Sequence, residues 1–146
     1  MGTKYLCDSN VFLALSVEAH RHHAAAVNWF ETLEPAAQFY FCRATQKSFL
    51  RLLTVKEWMR EDVCTNDEAL QAYATLRAAP QIHFADEPRG IESQWFEYAK
   101  GKLSSPKRWM DSYLAAFARC AGMTLATFDH GAVSYESVKV VLLPLE

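Results

Sequence analysis

The chain has 146 residues, 51% of them hydrophobic and 13% aromatic, which is enough for one domain with a real core and too apolar for a disordered or fibrous class. Its formal net charge of -2 at pH 7 excludes a strongly basic binder held to nucleic acid by bulk electrostatics, so any nucleic acid must be gripped locally. Cys7, Cys42, Cys64 and Cys120 form no C-x-x-C pair and follow no secretory signal; they read as reduced, buried small hydrophobes, not as a disulfide framework or a zinc site.

Apolar periodicity alternates between strand-like runs and helical patterns, without internal repeats, which argues a parallel sheet with helices packed around it in a single domain over 1–146. The first strand is expected at Lys4–Cys7, followed by a short helix over Asn10–Ser16 and a longer one over His22–Thr32 with Ala26, Val27, Phe30 and Leu33 on one face, stopped by Pro35. A second strand at Gln38–Phe41 leads to a helix over Thr45–Leu53 whose Phe49, Leu50, Leu52 and Leu53 suit a buried face. Asn66 or Asp67 is the expected cap of the next helix, with Leu70, Tyr73 and Leu76 at three-residue spacing. A short strand at Gln81–Phe84, a helix over Ile91–Ala99 ended by Gly101, and a long helix opened by Ser105 and Pro106 and running to Cys120 follow. The last strands are Thr124–Phe128 and Val138–Leu142. No apolar run is long enough to cross a bilayer, which points to a cytoplasmic protein without a membrane partner.

Two of these strands end in an acid, Asp8 after Tyr5-Leu6-Cys7 and Asp129 after Thr124–Phe128. Strand ends in open α/β sheets face the ligand crevice, where a carboxylate needs a hydrogen-bonded neighbour or a positive partner. Asp111 lies early in the long helix, beside the apolar pattern of Tyr113, Leu114 and Phe117. A hard divalent cation, Mg²⁺ or Mn²⁺, could satisfy all three carboxylates; separate helix caps and surface charges would explain them as well. Asn10 can cap the first helix or orient a carboxylate, and Thr127 can serve likewise.

The segments YLCDSNVFLAL, CRATQKSFLRLLT, WMDSYLAAFA and TLATFDHGA, in that order, resemble the successive motifs of PIN-domain ribonucleases, specifically the VapC toxins of bacterial toxin–antitoxin pairs. The resemblance implies a PIN-like three-layer α/β fold with a small, mostly parallel central sheet, acids clustered at its carboxyl ends, Mg²⁺ or Mn²⁺ as cofactor, and cleavage of RNA. It also implies that Asp8, Asp111 and Asp129 are the catalytic, metal-holding carboxylates, and that an antitoxin protein is the partner. Gln46 departs from the pattern, standing where many members carry a glutamate. A glutamine can offer a carbonyl oxygen but neither a base nor a charge.

Arg43 and Lys47, with Arg51, gather around Gln46, and Lys107 and Arg108, with Lys100 and Lys102, precede Asp111. Both groups could hold RNA phosphates near the acids; solvated helix faces would carry the same charges. Arg51 lies between leucines, a setting in which a guanidinium usually needs a carboxylate partner. His20 and His23 have ligand-like spacing but no evident third ligand, and His130 follows Asp129. Trp58, Met59, Trp95, Phe96 and Tyr98 give more aromatic surface than a small core absorbs, which suggests a homodimer or an antitoxin groove, with a plain core reading as the alternative.

Three readings of function follow. The first is a metal-dependent endoribonuclease of the toxin class. The second is a PIN-like RNA- or protein-binding domain whose chemistry has lapsed through Gln46. The third is a phosphatase with Asp8 as nucleophile, for which Ser9-Asn10 supplies no second acid close behind.

Overall fold

The computed structural model describes residues 2–143. Five strands, β1 (Lys4–Cys7), β2 (Gln38–Phe41), β3 (Ile82–Phe84), β4 (Thr124–Thr127) and β5 (Val140–Leu142), form one parallel sheet in the order β3-β2-β1-β4-β5. The helices are α1 (Ser9–Ser16), α2 (His23–Thr32), α3 (Arg43–Leu53), α4 (Lys56–Met59), α5 (Asn66–Arg77), α6 (Ile91–Ala99) and α7 (Pro106–Ala121). They cover both faces, as a parallel sheet requires.

Alternation along the strands sorts the core into two apolar layers. Tyr5 and Cys7 of β1, Phe39 and Phe41 of β2 and Ala126 of β4 pack with Val11, Phe12, Ala26, Phe49 and Leu53 from α1, α2 and α3. Leu6 and Leu125 point the other way, against Ile91 and Tyr98 of α6 and Leu114, Ala115, Phe117 and Ala118 of α7. Aromatic rings fill the first layer, with Phe12 stacked on Phe41 and Tyr5 on Phe39 at a centroid distance of 5.6 Å. The parallel sheet with helices packed around it, expected from the alternating patterns, is observed, and so is the three-layer form implied by the resemblance.

Several details differ from the expectations, each for a local reason. The last two strands are shorter: β4 ends at Thr127 and β5 begins at Val140. Thr65, and not Asn66 or Asp67, caps α5: its hydroxyl accepts from the Glu68 N–H while the Glu68 carboxylate accepts from the Thr65 N–H, a reciprocal box. Lys100, in extended conformation, ends α6 before Gly101 is reached. Pro106 opens α7 as expected, although Ser105 makes no side-chain capping bond. The one-turn α4 and the 3-10 turns at Arg60–Asp62 and His130–Ser134 have too little periodicity to be read from sequence.

All four cysteines are free, but only Cys7 and Cys42 are buried; Cys64 is half-buried and Cys120 exposed, because it falls on the outer side of the last turn of α7. Arg51 is exposed as well. The α3 rotation that buries Phe49 and Leu53 turns Arg51 to solvent, so the expected carboxylate partner is not needed. No helix among the described residues is long and apolar enough to cross a membrane.

Candidate active site

Strand order places the site. From β1 the chain steps outward through β2 to β3, and β4 and β5 continue on the other side, so the direction reverses between β1 and β4. The crevice beyond the carboxyl ends of two such strands is where open α/β sheets bind ligands. Cys7 pairs with Ala126 across that boundary, and the next residue on each strand is Asp8 and Thr127. Register alone sets the carboxyl and the hydroxyl side by side.

Thr127, 1% exposed, is the hub of the polar cluster. Its hydroxyl donates to Asp8 Oδ2 at 2.9 Å, accepts from the Asp129 N–H at 3.0 Å, and lies 3.4 Å from the Asn10 amide nitrogen. Asp8 Oδ1 accepts from the Ser9 N–H at 2.8 Å, so Asp8 also caps α1. Both Asp8 oxygens are therefore held. The Asn10 side-chain oxygen is buried without a partner among the described residues.

Asp129 follows β4 and caps the 3-10 turn at His130–Ser134, accepting from the Gly131 N–H at 2.9 Å. Its other oxygen pairs with the Lys107 ammonium, which also stands 3.5 Å from Asp111 Oδ2. Lys107 and Asp111 are four residues apart on α7 and share one helix face. One cation thus bridges two of the three carboxylates.

The electrostatic consequences are uneven. Burial pushes the Asp8 carboxyl above its usual range; the Thr127 and Ser9 hydrogen bonds pull against this, and Asp111 and Asp129 add repulsion. Burial likewise raises Asp111, opposed by Lys107. Asp129 is held below its usual range, chiefly by the bond from Lys107, and Lys107 is raised in turn by the same partner.

Of the residues singled out from sequence, Asp8, Asp111, Asp129, Asn10, Thr127 and Lys107 meet at this edge through the contacts above. Gln46 lies on the second turn of α3, half-buried, with its carbonyl oxygen taken by the Arg43 guanidinium. Arg43 itself lies over the Phe84 ring, 4.6 Å from its centroid, and Lys47 is exposed. Arg108 is occupied elsewhere: it donates to the Tyr98 carbonyl at 3.0 Å and lies over the Tyr135 ring. Glu87 accepts from the Tyr113 hydroxyl of α7 at 2.6 Å.

The His20–His23 pair makes no metal site, because no third His, Cys, Asp or Glu ligand joins it among the described residues. His20 Nδ1 accepts from the His22 N–H at 3.0 Å, and His23 Nδ1 lies 2.7 Å from the Ala14 carbonyl. Sequence reasoning passed over His22, which is 9% exposed and stacks on Phe128 at 4.9 Å, directly behind Asp129. A run of three histidines in four positions was the available signal.

A divalent cation fits this donor set in one particular way. The oxygens are hard carboxylates, two of which already accept one positive group. Among the described residues, however, no three His, Cys, Asp or Glu side chains are arranged to hold an ion directly. That suits Mg²⁺ or Mn²⁺ bound through one or two carboxylates with water completing the shell, and not a closed cage of protein ligands.

Comparison with known proteins agrees with this architecture. Residues 5–136 match the PIN domain family. The chain is 42% identical over 142 residues to Ribonuclease VapC41 of Mycobacterium tuberculosis, covering 94% of this chain and 97% of the relative. It is 29% identical to Ribonuclease VapC29 of the same organism, covering 95% and 96%. Among solved structures, Mycobacterium tuberculosis VapC20, a Sarcin-Ricin loop cleaving toxin, superposes with a TM-score of 0.66 at 16% identity over 96% of this chain and 99% of that one. VapBC2 from Rickettsia felis bound to a promoter DNA fragment superposes at 0.68 and 13% identity, over 97% and 100%. At these identities the structural likenesses speak to the fold. With the family match spanning nearly the whole sheet and a relative at 42% identity along the full length, the chain belongs to the PIN-domain family and is a homologue of the VapC ribonucleases.

Proposed function

We propose that this protein is a divalent-metal-dependent endoribonuclease, the toxin of a type II toxin–antitoxin pair, with Asp8, Asp111 and Asp129 as the carboxylates that hold Mg²⁺ or Mn²⁺. The observation that carries the reading is the meeting of those three acids at the β1/β4 switch point, two of them on one ammonium. A bound divalent cation would supply Lewis-acid activation of a water and neutralise charge on the phosphate.

The protein's own residues divide the remaining work. Thr127 and the Ser9 N–H fix both oxygens of Asp8 so that its orientation is set before any ligand arrives. Asn10 adds a donor to the same hydroxyl. The capping bond from Gly131 orients Asp129. Lys107, with its side chain 70% exposed at the mouth, and Arg43 and Lys47 at the start of α3 supply positive charge to draw in RNA phosphates that the acids would repel. No covalent protein nucleophile is required.

The relatives extend the proposal to partners. Several structural neighbours are toxin–antitoxin assemblies, so a cognate antitoxin is the expected protein partner. A homodimer is expected from exposed apolar side chains around α6 and the start of α7: Phe96 (50% exposed), Leu103 (89%) and Trp109 (58%). Sedimentation of the purified protein checks it, and a monomer at all concentrations refutes it.

The test of function is cleavage of RNA by the purified protein with Mn²⁺ or Mg²⁺, with excess chelator, and after Asp8→Asn. The expected result is cleavage only with metal and intact Asp8. Cleavage that persists in chelator sinks the mechanism.

A further inference from the structure

Lys107 is placed oddly for an ordinary surface lysine. It occupies the first turn of α7, one residue after Pro106, where the unsatisfied N–H groups make the helix end positive and a cation is disfavoured. Its pairing with Asp111 runs basic residue first, the weaker order for an i,i+4 pair. Helix energetics therefore give no reason for a lysine here. The reason lies across the fold, in its bond to Asp129, a residue 22 positions further along the chain.

The geometry points to a role as tethered counter-ion, and this inference rests on the metal-site reading above. We propose that the Lys107 ammonium occupies the position of the divalent cation between Asp111 and Asp129, holds the acid cluster together until the ion arrives, and is displaced by it. Three features make the exchange feasible. The ammonium touches both carboxylates, so it stands between them and not to one side. The lysine side chain is 70% exposed, whereas those of Asp111 and Asp129 are 27% and 24% exposed, so the cation approaches from solvent on a flexible stem and can leave the same way. Asp129 is held by the Gly131 N–H, and the backbone of Asp111 is set by the helix, so neither residue owes its position to the lysine alone. The freed ammonium then stands at the mouth, where an RNA phosphate must pass.

A cation that must first be expelled lowers the apparent affinity for the ion that replaces it. Lys107→Met removes the competitor and keeps most of the stem; Lys107→Arg keeps a charge. Calorimetric titration with Mn²⁺ alone, without RNA, is expected to show at least fivefold tighter binding to Lys107→Met than to wild type, with Lys107→Arg near wild type. Thermal melting is expected to rank wild type above Lys107→Met in chelator, where the variant's acids have lost their counter-charge, and to bring the two together in saturating Mn²⁺, where the lysine has already been displaced. Loss of a lysine that only supported the fold would lower stability by the same amount in both conditions and leave Mn²⁺ affinity unmoved. Equal or weaker Mn²⁺ binding by Lys107→Met, while wild type binds the ion, overturns the counter-ion role and leaves the nuclease reading standing. Failure of all three proteins to bind Mn²⁺ overturns both.

Discussion

Thr127→Val tests the polar hub with the smallest change of shape. The substitution deletes one hydroxyl that donates to Asp8 Oδ2 at 2.9 Å and accepts from the Asp129 N–H at 3.0 Å. A hydrogen bond to a charged acceptor contributes about 1.5–3 kcal/mol, and a partly buried N–H left without an acceptor costs about 1 kcal/mol more. The added methyl returns up to about 0.8 kcal/mol of apolar burial, so the expected loss at neutral pH is about 2–3 kcal/mol. The pH dependence is the sharper signature. Burial already raises the Asp8 carboxyl, and the Thr127 bond works against that rise; without it the folded-state value moves higher still. Between the wild-type and variant values the variant keeps a proton that wild type has released. The extra destabilisation is thus absent below the wild-type value, grows as pH rises through the window, and is flat above it. Urea unfolding in chelator from about pH 4.5 to about pH 8 reads the difference as a midpoint shift at constant slope. A loss that is the same at every pH would falsify the coupling of this hydroxyl to an ionised Asp8.

Asp8→Asn and Asp129→Asn should each reduce RNA cleavage by about 100-fold or more, as expected when a metal-binding group or its orientation is lost; retention of near-wild-type turnover in both removes these acids from the mechanism. Because Lys107 depresses Asp129, that pair contributes stability that is present above the ordinary carboxylate range and lost as pH falls through the folded value. Asp129→Asn should flatten the acid limb of the stability curve between about pH 5 and about pH 3, by the ~0.2–1 kcal/mol of an exposed ion pair, and an unchanged limb would contradict it. Gln46→Glu puts its new carboxylate against Arg43, which already donates to the Gln46 oxygen. Most of the added charge is neutralised there, so Mn²⁺ affinity should rise by only about two- to fivefold, and identical titrations would show Gln46 to be remote from the site.

The parts of this molecule that follow a short repeat were legible in its sequence. The short apolar runs in KYLC and QFYF set β1 and β2 to the residue, and the pairing of Ser105 with Pro106 set the start of α7. The acids at the ends of β1 and β4 could be read because a charge directly after an apolar strand is a conspicuous break in pattern. What could not be read is geometry that depends on side-chain direction. Lys107 and Arg108 are neighbours in sequence and both looked like phosphate contacts, yet a rotation of about 100° per residue sends one to Asp111 and Asp129 and the other to the Tyr98 carbonyl. Arg51 fell on the solvent side of α3 for the same reason. The His22–Phe128 stack joins segments more than a hundred residues apart and leaves no local trace.

The three acids are not held with equal firmness, and the difference follows from topology. Asp8 stands beside Thr127 by strand register, which cannot slip by one residue without turning Leu6 and Leu125 out of their core layer. Asp129 is tied at the start of a short turn. Asp111 alone is delivered by a helix, and its distance from the other two depends on how closely α7 lies against the sheet. Ala115, Ala116 and Ala118, all fully buried, let the helix approach, and their sequence gives no sign of catalysis at all. A larger side chain at any of them would cost about 1–3 kcal/mol of overpacking, and part of that strain would be relieved by lifting α7, and Asp111 with it, away from the switch point. The alanines of the final long helix are therefore part of the site in the only sense that a rigid core allows: they set where the third carboxylate stands.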